Sequence, residues 1–217
     1  AKDDRFKYYY IKNSGPSEAR NYGISKATGE YIGFCDADDI TYPEMYDDMY
    51  NNAKKVKADI VLCDIFSERD NKKFGFPWDG DILFLEKKDI YSNLIPEFIG
   101  NESDKDTKTP LWGSVVRCIY RRNLLVKEKI KFNNKIDFAE DLLFTLEAIS
   151  KSNRIFILNK VLYFYRKNTN SLMNSYTEYR ENMFQKRVCL IDELINRLIL
   201  IEAKPCIYKR LENSMRC

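Results

Sequence analysis

An apolar strand that runs directly into three carboxylates is the feature that most constrains this chain. Residues 29–39 read Gly-Glu-Tyr-Ile-Gly-Phe-Cys-Asp-Ala-Asp-Asp. The side chains of Asp36, Asp38 and Asp39 crowd like charges at the strand end, which costs free energy unless a cation lies there. A divalent metal that holds a phosphate is the usual reason for such crowding, because hard oxygen ligands suit Mg²⁺ and Mn²⁺.

The acidic cluster could also serve as a helix cap or as a phosphohydrolase site, but both roles are less favoured. One aspartate could cap the following helix, but Thr41 and Glu44 resemble a capping box that already does so. A phosphohydrolase would use Asp36 as its nucleophile, but such enzymes usually carry Thr or Val after the second aspartate, where this chain has Asp39. We therefore expect a metal–phosphate site at the carboxyl end of the strand, where open α/β sheets bind ligands.

Composition excludes several classes of function. The chain has 217 residues, 44% of them hydrophobic, which indicates a folded protein. Its 36 basic and 33 acidic residues are too evenly balanced to favour a nucleic-acid partner. It has no histidine and no C-x-x-C pair, which argues against a zinc site and against Ser-His or Cys-His chemistry. The sequence shows neither a secretion signal nor an apolar run long enough to span a membrane, so we expect a soluble protein.

Strand-like and helix-like segments alternate, which predicts an α/β layer with largely parallel strand pairing. The first segments are a strand at 5–11, a helix from Ser17 to about Gly29, a strand at 30–35, a helix from Thr41 to Val56 and a strand at 58–66. Further along, we expect a helix at 136–150, a strand at 154–165 and an amphipathic helix at 177–201.

Two neighbouring stretches resemble the central signature of the family 2 glycosyltransferases. They are Asn13-Ser-Gly-Pro-Ser-Glu-Ala-Arg-Asn-Tyr-Gly23 and residues 27–39, which contain the acidic strand. From chemistry alone, Arg20 could partner an aspartate or a nucleotide, because its planar fork suits both. The resemblance implies that Arg20 lies near the nucleotide. It also implies that Asp36 and Asp38 form the family's D-x-D pair, with Asp38 the more direct metal ligand.

A second motif lies about a hundred residues further on. Phe138-Ala-Glu140-Asp141-Leu-Leu-Phe144 is similar to the family's Glu-Asp motif, whose aspartate is the usual catalytic base. Acidic residues are also favoured at any helix N-terminus, so a purely structural role is the alternative. By resemblance we expect Asp141 to be the base, with Glu140 and Trp112 on the acceptor side.

Residues 163–166, Tyr-Phe-Tyr-Arg, resemble the segment that closes the family's catalytic domain. The resemblance leaves two roles open for Arg166. It either reaches the donor diphosphate or is a solvent-facing arginine on a core strand.

The resemblance implies a partial GT-A domain over residues 1–175, Rossmann-like with a mostly parallel sheet flanked by helices, and a helical extension packed on it over 176–217. The family's N-terminal nucleoside-binding part has no counterpart before Ala1, so we expect an N-terminally truncated domain. In some relatives a histidine completes the metal shell. Here the metal would depend on the aspartates, the diphosphate and water.

By resemblance, the expected activity is inverting transfer of a sugar from a nucleotide-sugar, with UDP as the commonest carrier and Mg²⁺ or Mn²⁺ as cofactor. The expected acceptor is a hydroxyl of a cell-surface polysaccharide, glycoconjugate or lipid-linked glycan, and the expected location is the cytoplasm, beside the inner membrane face. A non-catalytic module acting in assembly is the alternative. Also open are a homodimer through an exposed sheet edge and contact of the C-terminal stretch with a membrane surface.

Overall fold

The computed structural model describes residues 3–76, 82–95, 98, 114–136, 139–167 and 193. The helices are α1 (Gly15–Lys26), α2 (Met45–Val56), α3 (Lys87–Asp89), which continues as a π-helical turn (Ile90–Leu94), a 3₁₀ turn (Val115–Arg117), α4 (Arg122–Lys127) and α5 (Glu140–Lys151). The strands are β1 (Tyr31–Gly33), β2 (Ile40–Thr41), β3 (Ile60–Ser67), β4 (Lys72–Phe74), β5 (Ile82–Glu86), β6 (Cys118–Arg121) and β7 (Arg154–Tyr165).

The strands form one mixed sheet. Strands β1, β6, β3, β7 and β2 lie side by side in that order, while β4 pairs with β3 and β5 with β7. Within the described residues, β3 and β7 are the only parallel pair, and the other pairs are antiparallel. The α/β class is confirmed, but the expectation of a mostly parallel sheet is wrong.

The reason lies in strand β6. Strands β1 and β3 point the same way, as the strand–helix–strand pattern predicts, because both are antiparallel to β6. However, β6 comes from much later in the chain and lies between them, so that Tyr120 faces Ile32 on one side and Ile60 on the other. The local pattern sets the direction of successive strands, whereas the strand that lies between them is chosen by packing.

The core forms around β3 and α2. The predicted buried strand is confirmed, since Ile60 to Cys63 are completely buried. Helix α2 ends at Val56 as predicted, and it buries Met45, Met49 and Ala53, which share one face at four-residue spacing. Burying each large apolar side chain contributes roughly 1.5–3 kcal/mol.

The predicted capping box before α2 is wrong. Thr41 instead belongs to β2 and pairs with Tyr163, and Glu44 occupies the N-cap position without a side-chain bond to the helix. The two-residue strand β2 therefore carries the chain directly from the acidic cluster onto β7.

The predicted strand at 5–11 does not form. In the described part of the chain, no strand pairs with these residues, and the side chains of Phe6, Tyr8 and Tyr10 are 73%, 87% and 85% exposed. A strand needs a neighbour for its backbone hydrogen bonds, whatever its side-chain composition. Helix α1 follows and begins at Gly15 rather than at Ser17, with Pro16 in its first turn.

The helix and strand expected at 136–150 and 154–165 are confirmed as α5 and β7. Helix α5 begins later than predicted, because Ala139 has a left-handed backbone (φ 57°) just before it. The turn expected at 77–80, the loop at 101–109, the helix at 177–201 and the division at 175/176 lie outside the described residues.

Candidate active site

The acidic loop, residues 34–39, connects β1 to β2. Its three aspartates differ in exposure and in their contacts. A turn closes it, with the backbone N–H of Asp39 donating to the carbonyl of Asp36 at 3.2 Å. Asp36 is partly buried, Asp38 is exposed, and Asp39 is held against β7. The loop therefore presents Asp38 to solvent, while Asp36 and Asp39 are less exposed.

Arg20 joins the two sequence motifs. One nitrogen of its guanidinium donates to Asp36 Oδ1 at 3.0 Å and the other to Glu140 Oε1 at 2.9 Å. The arginine and Glu140 side chains are only 17% and 14% exposed. Of the two partners expected for Arg20, the aspartate contact is therefore present, and Glu140 is a second carboxylate partner that the sequence did not reveal.

The surroundings of Arg20 favour its charged form. Burial opposes the charge, but the carboxylates of Asp36, Asp141 and Glu140 outweigh that cost and raise the pKa of Arg20. The arginine is thus a permanent cation among three acids.

Asp141 lies in the first turn of α5, beside Glu140. Its Oδ1 accepts a hydrogen bond from the backbone N–H of Leu142 at 3.0 Å. Burial is the main cause that raises the pKa of Asp141, to about 7; the charge of Glu140 acts in the same direction, and Arg20 opposes it. A carboxylate with such a pKa can take up and release a proton near neutral pH, which suits a general base.

Phe132 connects α1 to α5 beside Arg20. Asn21 donates to the carbonyl of Phe132 and accepts from its N–H, both at 2.9 Å. The ring of Phe132 lies 5.4 Å from the Arg20 guanidinium carbon and stacks on Phe144 of α5, with ring centroids 4.0 Å apart. The sequence places Asn21 next to Arg20, but its partner 111 positions away has no local signal.

The end of β7 lies against the acidic loop. Tyr163 donates its hydroxyl hydrogen to Asp39 Oδ2 at 2.7 Å, and the backbone N–H of Arg166 donates to Asp39 Oδ1 at 3.0 Å. Arg166 is exposed. The structure thus places Arg166 next to the acidic loop, as its expected role requires, while its contact with a diphosphate stays a prediction.

The donor set suits a metal that takes most of its ligands from elsewhere. In the described residues, no group of three or more His, Cys, Asp or Glu side chains could hold a metal ion. Mg²⁺ is commonly bound by only one or two carboxylates, together with substrate phosphates and water. The two carboxylates of Asp36 and Asp38 fit that smaller requirement.

Trp112, expected on the acceptor side, lies outside the described residues. Its expected neighbour Glu140 is turned toward Arg20. Among the helices of the described ranges, none combines the length and the apolar character needed to cross a membrane.

The chain is similar to bacterial glycosyltransferases over most of its length. It is 33% identical over 171 residues to the uncharacterised glycosyltransferase EpsJ of Bacillus subtilis, covering 79% of this chain and 47% of EpsJ. It is 26% identical over 190 residues to the poly(ribitol-phosphate) β-N-acetylglucosaminyltransferase TarS of Staphylococcus aureus, covering 85% of this chain and 29% of TarS. The chain thus spans less than half the length of these two relatives.

The fold agrees with that relationship. A crystal structure of S. aureus TarS residues 1–349 in complex with UDP-GlcNAc superimposes with a TM-score of 0.60 and 24% identity, covering 84% of this chain and 48% of that one. The sequence profile of glycosyl transferase family 2 matches residues 1–124, which include both stretches of the first motif. The chain therefore belongs to glycosyl transferase family 2.

Proposed function

We propose that this chain carries the catalytic half of an inverting glycosyltransferase that uses a nucleotide-sugar donor. The observation that carries the proposal is the position of Arg20, which holds Asp36 of the first motif and Glu140 of the second within 3.0 Å. Two motifs separated by more than a hundred residues thus meet at one point. Asp141, whose pKa is raised to about 7, lies beside that point.

The proposed reaction is a single displacement. An acceptor hydroxyl gives its proton to the carboxylate of Asp141 as its oxygen bonds to the anomeric carbon of the sugar. The bond between that carbon and the diphosphate oxygen breaks on the opposite face, so the configuration inverts and the nucleoside diphosphate leaves. A positioned general base typically contributes about 10²–10⁴-fold to the rate.

On the donor side, Asp38 with Asp36 would hold Mg²⁺ or Mn²⁺, which would neutralise charge on the leaving diphosphate. Arg166 would add a second cationic contact to the diphosphate, since its backbone is tied to the same loop. Arg20 keeps Asp36 in place, and it would lie near the nucleotide on the α1 side.

For the donor and acceptor, the relatives provide the support. TarS has been crystallised with UDP-GlcNAc and with UDP, which favours a UDP-sugar as donor. The name of TarS also describes an anionic polymer, poly(ribitol-phosphate), as its acceptor. We therefore propose a hydroxyl of a cell-surface polysaccharide or glycoconjugate as acceptor, with Glu140 and Trp112 on that side of the site.

The test uses the protein as its gene encodes it. UDP-sugars and GDP-sugars are incubated with and without MnCl₂, and release of the nucleoside diphosphate is measured with water or a glycan as acceptor. Asp141→Asn should reduce release by at least about 10²-fold and leave UDP binding intact. Asp47→Asn, an exposed aspartate on α2, is the matched control. Full activity of Asp141→Asn, or a product of retained anomeric configuration, would contradict the mechanism.

A further inference from the structure

The third aspartate of the acidic loop and a buried tyrosine form a contact that the proposed mechanism does not use. Tyr163 is completely buried, yet its hydroxyl points at the loop. It donates to Asp39 Oδ2 at 2.7 Å and accepts the backbone N–H of Asp36 at 3.3 Å. One phenol oxygen therefore bonds both ends of the Asp36–Asp39 turn.

The other oxygen of Asp39 is also occupied. It accepts the backbone N–H of Arg166 at 3.0 Å, at the point where β7 ends. Both oxygens of this carboxylate are thus bound to β7 or to the residue that follows it. Asp39 is turned toward the fold, in contrast to the exposed Asp38.

These bonds act together with strand pairing. Ile40 and Thr41 of β2 pair with Phe164 and Tyr163, so the chain leaving the loop is held on β7. Without the Tyr163 bonds, the loop would depend far more on β2, and a two-residue strand is a weak constraint.

We propose that Tyr163 is a positioning residue that acts through Asp39: it fixes the acidic loop and the Arg166 segment as one unit for binding the donor diphosphate. This inference rests on the proposed function. It assigns Asp39 to holding the loop and not to binding metal, and it leaves Asp38 as the carboxylate that faces the ligand. The expected effect of loosening the unit is weaker donor binding, with little change in the chemical step.

The test compares two buried tyrosines that each lose one hydroxyl. Tyr163→Phe removes both bonds of the phenol oxygen. It should raise the donor KM for a UDP-sugar with MnCl₂ by at least roughly threefold to tenfold, the fold-change that corresponds to the net free energy of a single hydrogen bond, with kcat within about twofold of wild type. Tyr120→Phe is the matched control, because Tyr120 is equally buried and its hydroxyl bonds Thr145 in the core at 2.9 Å. It should lower the melting temperature but leave the donor KM unchanged.

A second variant separates positioning from metal binding. Asp39→Ala removes the acceptor of the Tyr163 and Arg166 bonds. Its effect on donor KM should be less than additive with that of Tyr163→Phe, because the two variants share the Tyr163–Asp39 contact. If Asp39 were a metal ligand instead, Asp39→Ala would raise the half-saturating Mn²⁺ concentration while Tyr163→Phe stayed at wild-type values. That pattern overturns the proposal.

Hydrogen exchange tests the inference without relying on activity. In Tyr163→Phe the amide of Asp36 loses its acceptor, so exchange across 36–39 should become faster, whereas Tyr120→Phe should leave it unchanged. A wild-type protein that cleaves no donor but shows this exchange difference would defeat the proposed function alone. An active wild type with equal exchange and equal donor KM in both tyrosine variants would defeat the positioning role alone.

Discussion

Arg20 and Glu140 are 120 positions apart in the sequence, yet their side chains form an ion pair with a nitrogen–oxygen distance of 2.9 Å. The same guanidinium holds Asp36 at 3.0 Å, and its charge also acts on Asp141. One cation therefore faces three carboxylates. The excess of negative charge favours a further cation at this point, or a proton on Asp141.

The first prediction concerns the pH dependence of activity. Arg20 lowers the pKa of Asp141, so Arg20→Gln should raise it further above about 7. Since the proposed base works as a carboxylate, the rise of kcat with pH should move to higher pH in this variant. The pH–rate profile measures the shift, with Arg5→Gln, a highly exposed arginine, as control. An unchanged acidic limb would show that Arg20 does not act on the base.

The second prediction concerns stability. The pKa of Asp141 is raised from 3.8 to about 7, so the folded state holds a proton that the unfolded state releases. The resulting contribution to the free energy of unfolding is fully present below about pH 4 and is lost as the pH rises through about 7. The upper bound of this contribution is about 4 kcal/mol, at 1.36 kcal/mol per pKa unit.

The asparagine of Asp141→Asn does not ionise, so the variant lacks this pH-dependent contribution to stability. The difference in unfolding free energy between Asp141→Asn and wild type should therefore grow in favour of the variant between about pH 4.5 and pH 7.5. Urea unfolding at several pH values measures it. A constant difference across this range would mean that Asp141 titrates normally.

The third prediction concerns Asn21. Asn21→Ala leaves the N–H and carbonyl of the buried Phe132 without their partner, which should lower the unfolding free energy by about 2–3 kcal/mol. Asn51→Ala, which removes an exposed asparagine side chain on helix α2, should cost no more than about 0.5 kcal/mol. Denaturant unfolding of the two variants measures both losses of unfolding free energy. Equal losses would show that the bonds between Asn21 and Phe132 stabilise the fold no more than an exposed asparagine does.

The fourth prediction concerns the metal. Asp38→Ala should raise the Mn²⁺ concentration needed for half-maximal activity by at least about tenfold, because it removes the most exposed aspartate of the acidic loop. Activity should be lost in EDTA and restored by MnCl₂. Asp47→Ala on α2 provides the control. Wild-type Mn²⁺ dependence in Asp38→Ala would exclude this residue as a ligand.

Local patterns predicted much of the fold. The buried strand β3, the end of helix α2 and the whole of β7 follow from apolar runs and helical periodicity that extend over a few turns or one strand. The predictions failed where the structure of a segment depends on residues far away in the sequence. Residues 5–11 have strand composition without a neighbouring strand among the described residues, and Thr41 pairs with Tyr163 instead of capping α2.

In the candidate site, too, the sequence predicted the residues but not their long-range contacts. The motifs identified Arg20, Asp36, Asp38, Glu140 and Asp141, and the structure brings four of these charges together. Nothing in the sequence indicated that Asn21 would bind Phe132 or that Tyr163 would hold Asp39. Those contacts join residues more than a hundred positions apart.

The family, the residues of both motifs and the common direction of β1 and β3 all follow from the order of amino acids along the chain. These properties depend on side chains that are close together in sequence, and a short window is enough to express them. Tertiary packing was needed to place β6 between those strands, to join Arg20 to carboxylates of both motifs and to leave Asp38 as the exposed member of the three aspartates. Such outcomes depend on the free energy of packing whole layers against one another, in which distant residues compete for the same partners.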